Sequence, residues 1–124
     1  MVRAEGRFFI LGAMPVTEVF AGIAVRDRDA AIEFYERLLG APPTMLPNDD
    51  EAAWQLTGGG CLYVLRDADR AGRAVVTLLV DDLDERLAAA AARGIELGPV
   101  ENDVLVCVRH RGSPAAEQMT FCGG

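Results

Sequence analysis

Two short runs of alternating apolar residues open two similar halves of this chain. The first runs from Val19 to Val25 and the second from Ala74 to Val80. Such runs, rich in β-branched residues, are typical of strands. Val25 aligns with Val80, 55 residues later, and the aspartates that follow the two runs align at the same offset. The pattern therefore predicts a duplicated structural unit.

The segment after each run has the spacing of an amphipathic helix. In the first half, apolar residues recur every three or four positions up to Gly40, at Ala31, Ile32, Phe34, Tyr35, Leu38 and Leu39. The second segment ends at Gly94 and carries a thinner, alanine-rich stripe. Asp27 and Asp82 stand where a helix needs a side-chain acceptor for its first free amides. Glycine suits the position just past a helix end.

Three short strands are predicted after each helix, which gives the order β-α-β-β-β twice. They cover about 44–47, 52–57 and 61–66 in the first half, and about 95–98, 104–110 and 117–122 in the second. We therefore expect an α+β fold of two tandem βαβββ modules, at about 17–66 and 73–122, forming a curved mixed sheet around a trough. Residues 14–124 are expected to form this single domain.

Residues 1–13 are expected to be an N-terminal extension. The apolar stretch within residues 7–13 fits an extra strand or arm. Two other interpretations stay open: Met14 is the natural start, or the basic residues followed by a short apolar run are a signal peptide.

Side-chain alternation assigns the two faces of each first strand. Val19, Ala21, Ile23 and Val25 form the uniformly apolar set and should face the helix, which leaves Glu18, Phe20, Gly22 and Ala24 on the opposite face. In the second half, Arg73, Val75, Thr77 and Leu79 take that opposite face. These mixed, small and polar residues favour a ligand cavity in the trough over a solid core.

Composition narrows the function classes. The formal net charge of −7 argues against nucleic acid as a partner, because phosphate binding needs clustered cations. No run of about 18 apolar residues is present, so no membrane partner is expected. An odd number of cysteines, Cys61, Cys107 and Cys122, favours buried free thiols in a reducing compartment. We therefore expect a cytoplasmic protein.

The segment from Asp27 to Gly40, DRDAAIEFYERLLG, resembles the first helix of the vicinal oxygen chelate superfamily. That superfamily includes glyoxalase I, bleomycin resistance proteins and extradiol dioxygenases. The resemblance runs from about Thr17 to Phe121, nearly the whole chain. It implies a pair of βαβββ units, the organisation that the residue pattern predicts independently.

The resemblance also implies four positions where metal-dependent members carry ligands. These positions fall on Phe20, Val75, Tyr63 and Thr120 in this sequence. Phe and Val have no lone pair for a cation, and Tyr and Thr are poor ligands beside His or carboxylate. We therefore expect no metal and no other cofactor.

The sequence thus favours a metal-free protein that binds a small, planar, amphipathic molecule in the trough, in a manner similar to bleomycin resistance proteins. The expected ligand-binding residues are Phe20, Trp54, Tyr63, Val75, Gln118 and Thr120. An open trough edge favours a homodimer.

Three alternatives stay open, and no catalytic residue is identified. The first is a lyase, isomerase or dioxygenase of the same superfamily with atypical site residues, using Glu18, Tyr63 or His110 as acid or base. The second is a metal enzyme with ligands at other positions. The third is an interaction module whose aromatic rings fill the cavity.

Overall fold

The elements of the chain follow the predicted order in both halves. The computed structural model describes residues 2–4, 7–9, 14–101, 105–108 and 118–123. In chain order these residues form β1 (Val2–Ala4), β2 (Arg7–Phe9), β3 (Val19–Val25), α1 (Arg28–Leu39), β4 (Met45–Asn48), β5 (Glu51–Thr57), β6 (Gly60–Arg66), β7 (Val75–Val80), α2 (Leu83–Ala92), β8 (Leu97–Glu101), β9 (Leu105–Val108) and β10 (Gln118–Gly123).

The two halves have the same sheet topology, which confirms the duplicated mixed α+β fold. Module 1 forms a sheet in the order β3-β6-β5-β4, and module 2 forms one in the order β7-β10-β9-β8. In each sheet the first strand pairs in parallel with the last, and the remaining pairs are antiparallel. The strands β3 and β7 are therefore edge strands.

A separate antiparallel pair, β1 with β2, lies within the predicted N-terminal extension. The strand Arg7–Phe9 lies where one interpretation of residues 7–13 places a strand. Within the predicted strand 104–110, the described strand β9 covers Leu105–Val108, and residues 104, 109 and His110 lie outside the described residues.

Helix α1 begins and ends where the sequence predicts. The Asp27 carboxylate accepts a hydrogen bond from the Ala30 amide at 3.1 Å, which satisfies one of the free donors of the first turn. Gly40 ends the helix with φ +81°, and its amide donates to the Glu36 carbonyl. Glycine adopts this left-handed conformation without a Cβ penalty, so the helix stops here.

Helix α2 is capped by Asp82, whose side chain accepts from the Glu85 amide. At its other end, the Ile95 amide donates back to the Ala90 carbonyl. This closing turn uses residues 94 and 95, so strand β8 begins at Leu97 and not at about residue 95 as the sequence predicts. The capped helix end, which is a feature of local hydrogen bonding, decides the boundary.

The buried core is continuous between the modules. Alternating residues of β3 and β6 pack against α1, with Ile23, Tyr35 and Val64 fully buried. In module 2, Met119 and Phe121 of β10 pack with Leu87 and Ala90 of α2 in the same cluster. The two helices contact each other at the junction between the modules. Among the described residues, neither helix is long and apolar enough to cross a membrane.

Candidate functional site

Each sheet has one face that packs on its helix and one face that points away from it. We call the second kind the open face. On the module 1 sheet, the register pairs Phe20 with Cys61 and Gly22 with Tyr63, so these four residues share the open face of β3 and β6. Ala53 and Gln55 of β5 lie beside them. The predicted assignment of β3 side chains to two faces is therefore observed.

An aromatic pair dominates the open face of module 1. The rings of Phe20 and Tyr63 meet edge to face, with centroids 6.4 Å apart and planes at 66°. The Tyr63 ring lies across the backbone of Gly22: a Cβ placed on Gly22 would stand 2.6 Å from Tyr63 Cζ and from Tyr63 Oη. Glycine at position 22 thus allows the ring to lie flat. Phe20 remains about half exposed, so the pair presents aromatic surface to solvent.

Polar groups border this aromatic pair. The Gln55 side-chain amide donates to the Glu18 carboxylate at 2.9 Å and to the Thr57 carbonyl at 2.7 Å. These bonds hold Glu18 at the start of β3, near the thiol of Cys61. The open face therefore combines aromatic surface with hydrogen-bonding groups at one end.

The open face of module 2 carries Val75, Thr77, Leu79 and Thr120. In the parallel pair of β7 with β10, Thr120 lies opposite Thr77 and Gln118 lies opposite Val75. Val75 is 69% exposed and Thr120 is buried. The Gln118 side chain lies outside the described residues, so only its position in the register is known.

The register shows that the four metal-ligand positions implied by the resemblance form two equivalent pairs. Tyr63 lies opposite Gly22, and Thr120 lies opposite Thr77. Position 77 corresponds to position 22 in the repeat, because the two are 55 residues apart. Phe20 and Val75 are related by the same offset. The assignment of Tyr63 to the third position is thus consistent with the internal symmetry of the fold.

Trp54 lies on the opposite face from the one that the sequence predicts. It pairs with Leu62, and both side chains point toward α1. The indole is 2% exposed, packs against Tyr35 with ring centroids 6.0 Å apart, and donates from Nε1 to the Ala41 carbonyl at 2.9 Å. The prediction that Trp54 lines the open face is wrong, because the register of β5 against β6 turns its ring into the core.

A cavity of about 660 Å³ lies where the two modules meet. Its walls come from the start of β3 and β6, the last turn of α1, strand β7, and the face of α2 that carries Arg86, Leu87, Ala90 and Arg93. Five of the predicted ligand-binding residues have described side chains, and none of these five lines it. The cavity is nevertheless lined by Cys61, Thr77 and Leu79 of the open faces, so it adjoins those faces without including the Phe20–Tyr63 pair.

The fold has a close relative among solved structures. A glyoxalase/bleomycin resistance protein from Catenulispora acidiphila is 38% identical, with a TM-score of 0.76, and the match covers 86% of this chain and 97% of that one. This chain belongs to the glyoxalase/bleomycin resistance protein family. Scans against protein-family models and against curated protein sequences found no match.

Two more distant solved structures share the fold. A lactoylglutathione lyase from Agrobacterium tumefaciens is 18% identical with a TM-score of 0.64, over 90% of this chain and 96% of that one. An antibiotic-binding protein from a Streptomyces species is 16% identical with a TM-score of 0.67, over 92% of this chain and 98% of that one. Both likenesses concern the fold alone.

The family's metal positions do not fit a divalent cation in this chain. Phe20 and Val75 offer hydrocarbon, and Tyr63 and Thr120 offer a neutral phenol and a hydroxyl, where strong sites use imidazole, thiolate or carboxylate. Within residues 14–98 and 119–122, whose side chains are described, no three metal-binding side chains come together.

Sequence reasoning missed two features of this region: the contact of Gly22 with Tyr63 and the cavity between the modules. The glycine inside a predicted strand was an available signal, since such a residue often marks a close approach to its backbone. The cavity depends on contacts between distant segments and had no signal in the sequence. The predicted burial of the cysteine thiols is observed at Cys61.

Cys61 should be unusually resistant to alkylation, although it lies beside the aromatic pair. Burial, and second the Glu18 carboxylate, raise the pKa of its thiol. Alkylation requires the thiolate, so the rate for Cys61 should rise only at a pH above the ordinary cysteine range. We expect iodoacetamide to label Cys122 before Cys61 between about pH 7 and 10, as followed by peptide mass spectrometry.

The Glu18→Gln variant supplies the control for this pH dependence. Removing the negative charge should move the labelling profile of Cys61 toward lower pH and leave that of Cys122 unchanged. The raised pKa means that the folded protein favours the protonated thiol of Cys61. The resulting stabilisation is fully present below the pKa that this thiol has in the unfolded chain, and it is lost as the pH rises through the pKa of the folded protein. A Cys61 that labels as fast as Cys122 at neutral pH would contradict this environment.

Proposed function

We propose that this protein binds a small, planar, amphipathic organic molecule on its open faces without using a metal ion. The observation that carries the proposal is the set of side chains at the four equivalent positions. They hold Phe20, Tyr63, Val75 and Thr120, which suit stacking and a few hydrogen bonds better than cation binding. The family relationship to glyoxalase/bleomycin resistance proteins supports a small-molecule ligand.

In this proposal Phe20 and Tyr63 contact the plane of the ligand. Their edge-to-face arrangement and the exposed part of Phe20 leave an aromatic surface on which a flat molecule can lie. Glu18 and Gln55, joined by a hydrogen bond, supply polar contacts at one end of that surface. Val75, Thr120 and Gln118 form the corresponding part of the site on module 2.

The proposal includes a homodimer in the cytoplasm. Phe20 and Val75 are exposed apolar residues on two different sheets, and within the described part of the chain no strand pairs with the outer edge of β3 or β7. Exposed apolar surface of this kind marks binding sites or subunit contacts. A second copy would cover it and complete the site.

A thermal-shift screen of planar amphipathic compounds tests this function. A ligand of the native state must raise the melting temperature, because it binds the folded state preferentially. We expect Phe20→Ala to weaken the best compound by about tenfold, the equivalent of one good aromatic contact of about 1.4 kcal/mol. Isothermal titration calorimetry measures the change in affinity.

The matched control is Leu46→Ala, which shortens another exposed apolar side chain on edge strand β4. It should leave the affinity unchanged. Elemental analysis of untagged protein should find less than stoichiometric zinc, iron, manganese and nickel. Absence of any stabilising compound, or tightly bound stoichiometric metal that Tyr63→Phe removes, would show that the proposal is wrong.

A second candidate is a lyase, isomerase or dioxygenase with atypical site residues. One observation favours it: the Glu18 carboxylate lies at the edge of the same open face as Tyr63, where it accepts a bond from Gln55. If the protein is an enzyme of this kind, Glu18→Gln should abolish turnover of a bound compound and leave the affinity for that compound unchanged. Binding without turnover in the unmodified protein contradicts this candidate.

A further inference from the structure

We infer that the cavity between the modules is a second ligand site, for a small amphipathic anion such as a medium-chain carboxylate. This inference does not rest on the proposed function, because none of the expected planar-ligand residues with a described side chain lines the cavity. Its volume of about 660 Å³ is that of a site for a small organic molecule.

The walls of the cavity suit an aliphatic chain. They are formed mainly by side chains of Leu, Val and Ala from both modules, including Leu38, Leu78 and Leu87. Val19, Leu56 and Leu79 also line it and are exposed, with Leu79 at 74%. Exposed aliphatic side chains around an apolar opening are costly in water and indicate an apolar occupant.

The charged side chains that line the cavity favour an anionic ligand over a neutral one. Arg86 and Arg93 both line the cavity, and among the described residues no carboxylate does. Arg86 is paired with Asp81, but the Asp81 carboxylate does not itself line the cavity, so the charged groups of the described lining are cations. A guanidinium group binds a carboxylate through charge-assisted hydrogen bonds, so an anionic head group has a partner here that a neutral one lacks.

Of the two arginines, Arg86 is the one placed to receive a ligand. Arg93 Nη2 donates to the Leu38 carbonyl at 3.1 Å and Arg93 Nε donates to the Arg37 carbonyl, so this side chain is committed to α1. Arg86 Nη2 and Nε both donate to Asp81 Oδ1 at the surface. A ligand carboxylate would therefore compete with Asp81 for Arg86.

Decanoate and 1-decanol are the probes, since they differ in the head group and share the chain. We expect decanoate to raise the melting temperature and to bind at least about tenfold more tightly than 1-decanol in calorimetry, as a charge-assisted bond requires. Arg86→Gln should weaken decanoate by a similar factor and leave 1-decanol unchanged. Asp81→Asn should strengthen decanoate, because the competing carboxylate is gone.

A cavity-filling variant with a neighbouring control locates the binding. Ala89 lines the cavity and Ala88 does not, and both are exposed residues of α2. Ala89→Phe should abolish decanoate binding, and Ala88→Phe should leave it unchanged. Phe20→Ala should also leave it unchanged, which separates this site from the aromatic surface of Phe20 and Tyr63.

Three outcomes would overturn the inference. The first is that decanoate does not raise the melting temperature, or that 1-decanol binds as tightly. The second is that Phe20→Ala weakens decanoate as much as Ala89→Phe does, which would place decanoate on the open face. The third is that Ala89→Phe, unlike Ala88→Phe, dissociates a dimer in sedimentation velocity, which would make the cavity mouth a subunit interface.

Discussion

Replacing Trp54 with alanine should lower the free energy of unfolding by about 3–5 kcal/mol, the usual cost of deleting a large buried aromatic side chain. The indole packs on Tyr35 between the module 1 sheet and α1. It also donates to the Ala41 carbonyl just after Gly40, which ends α1. Truncation would leave both a cavity and an acceptor without its donor.

Chemical denaturation followed by circular dichroism measures this loss, since Trp54 is the single tryptophan and its removal also removes its fluorescence. Trp54→Phe should cost less, because it keeps part of the ring contact and loses the second ring and the hydrogen bond, the latter worth about 1–3 kcal/mol. Leu46→Ala, on an exposed residue of β4, should change stability little.

Acrylamide quenching provides an independent check on the position of the indole. A buried ring should be quenched poorly in the folded protein and efficiently in denaturant. If Trp54→Ala remained as stable as the unmodified protein but lost ligand affinity, the indole would lie on the ligand face, as the sequence alone suggests.

Replacing Arg93 with alanine should loosen the junction between the modules and cost about 1–3 kcal/mol. Arg93 ends α2 and donates to the Arg37 and Leu38 carbonyls in the last turn of α1. Those carbonyls are at the negative end of a helix, where a cation is favourable. The same guanidinium lies over Gly40, where a Cβ would come within 3.2 Å of it.

Arg93→Lys should recover only part of this stability, since a single ammonium lacks the planar fork that reaches two carbonyls. Arg73→Ala, at an exposed arginine between the modules, is the matched control and should have little effect. Hydrogen exchange should show faster exchange of the Gly40 amide in Arg93→Ala. Unchanged exchange at Gly40 together with unchanged stability would mean that the contact does not join the modules.

The repeat explains why so much of the fold is predictable from local pattern. Strand β3 and helix α1 are decided by alternation, by helical spacing and by the Asp27 and Gly40 ends, which all act within a few residues. The same signals recur 55 residues later, so the second module follows from the first. The boundary of β8 is the exception, because hydrogen bonds that close α2 extend to Ile95.

The candidate site was predictable only in part. Phe20 and Val75 lie on first strands whose alternation is clear, so their open-face positions follow from parity. Strand β5 has apolar residues in both alternating sets, Ala52 and Trp54 in one and Ala53 in the other. Its faces are fixed only by pairing with β6, which is why Trp54 was misplaced.

The sequence by itself determined the duplicated βαβββ order and the helix ends, because each is a property of neighbouring residues. Only the tertiary structure decided which face Trp54 takes, that Tyr63 lies across Gly22, and that Arg93 joins α2 to α1. These features, like the cavity between the modules, arise where segments far apart in the chain meet. The packing of such segments depends on contacts that no short stretch of sequence encodes.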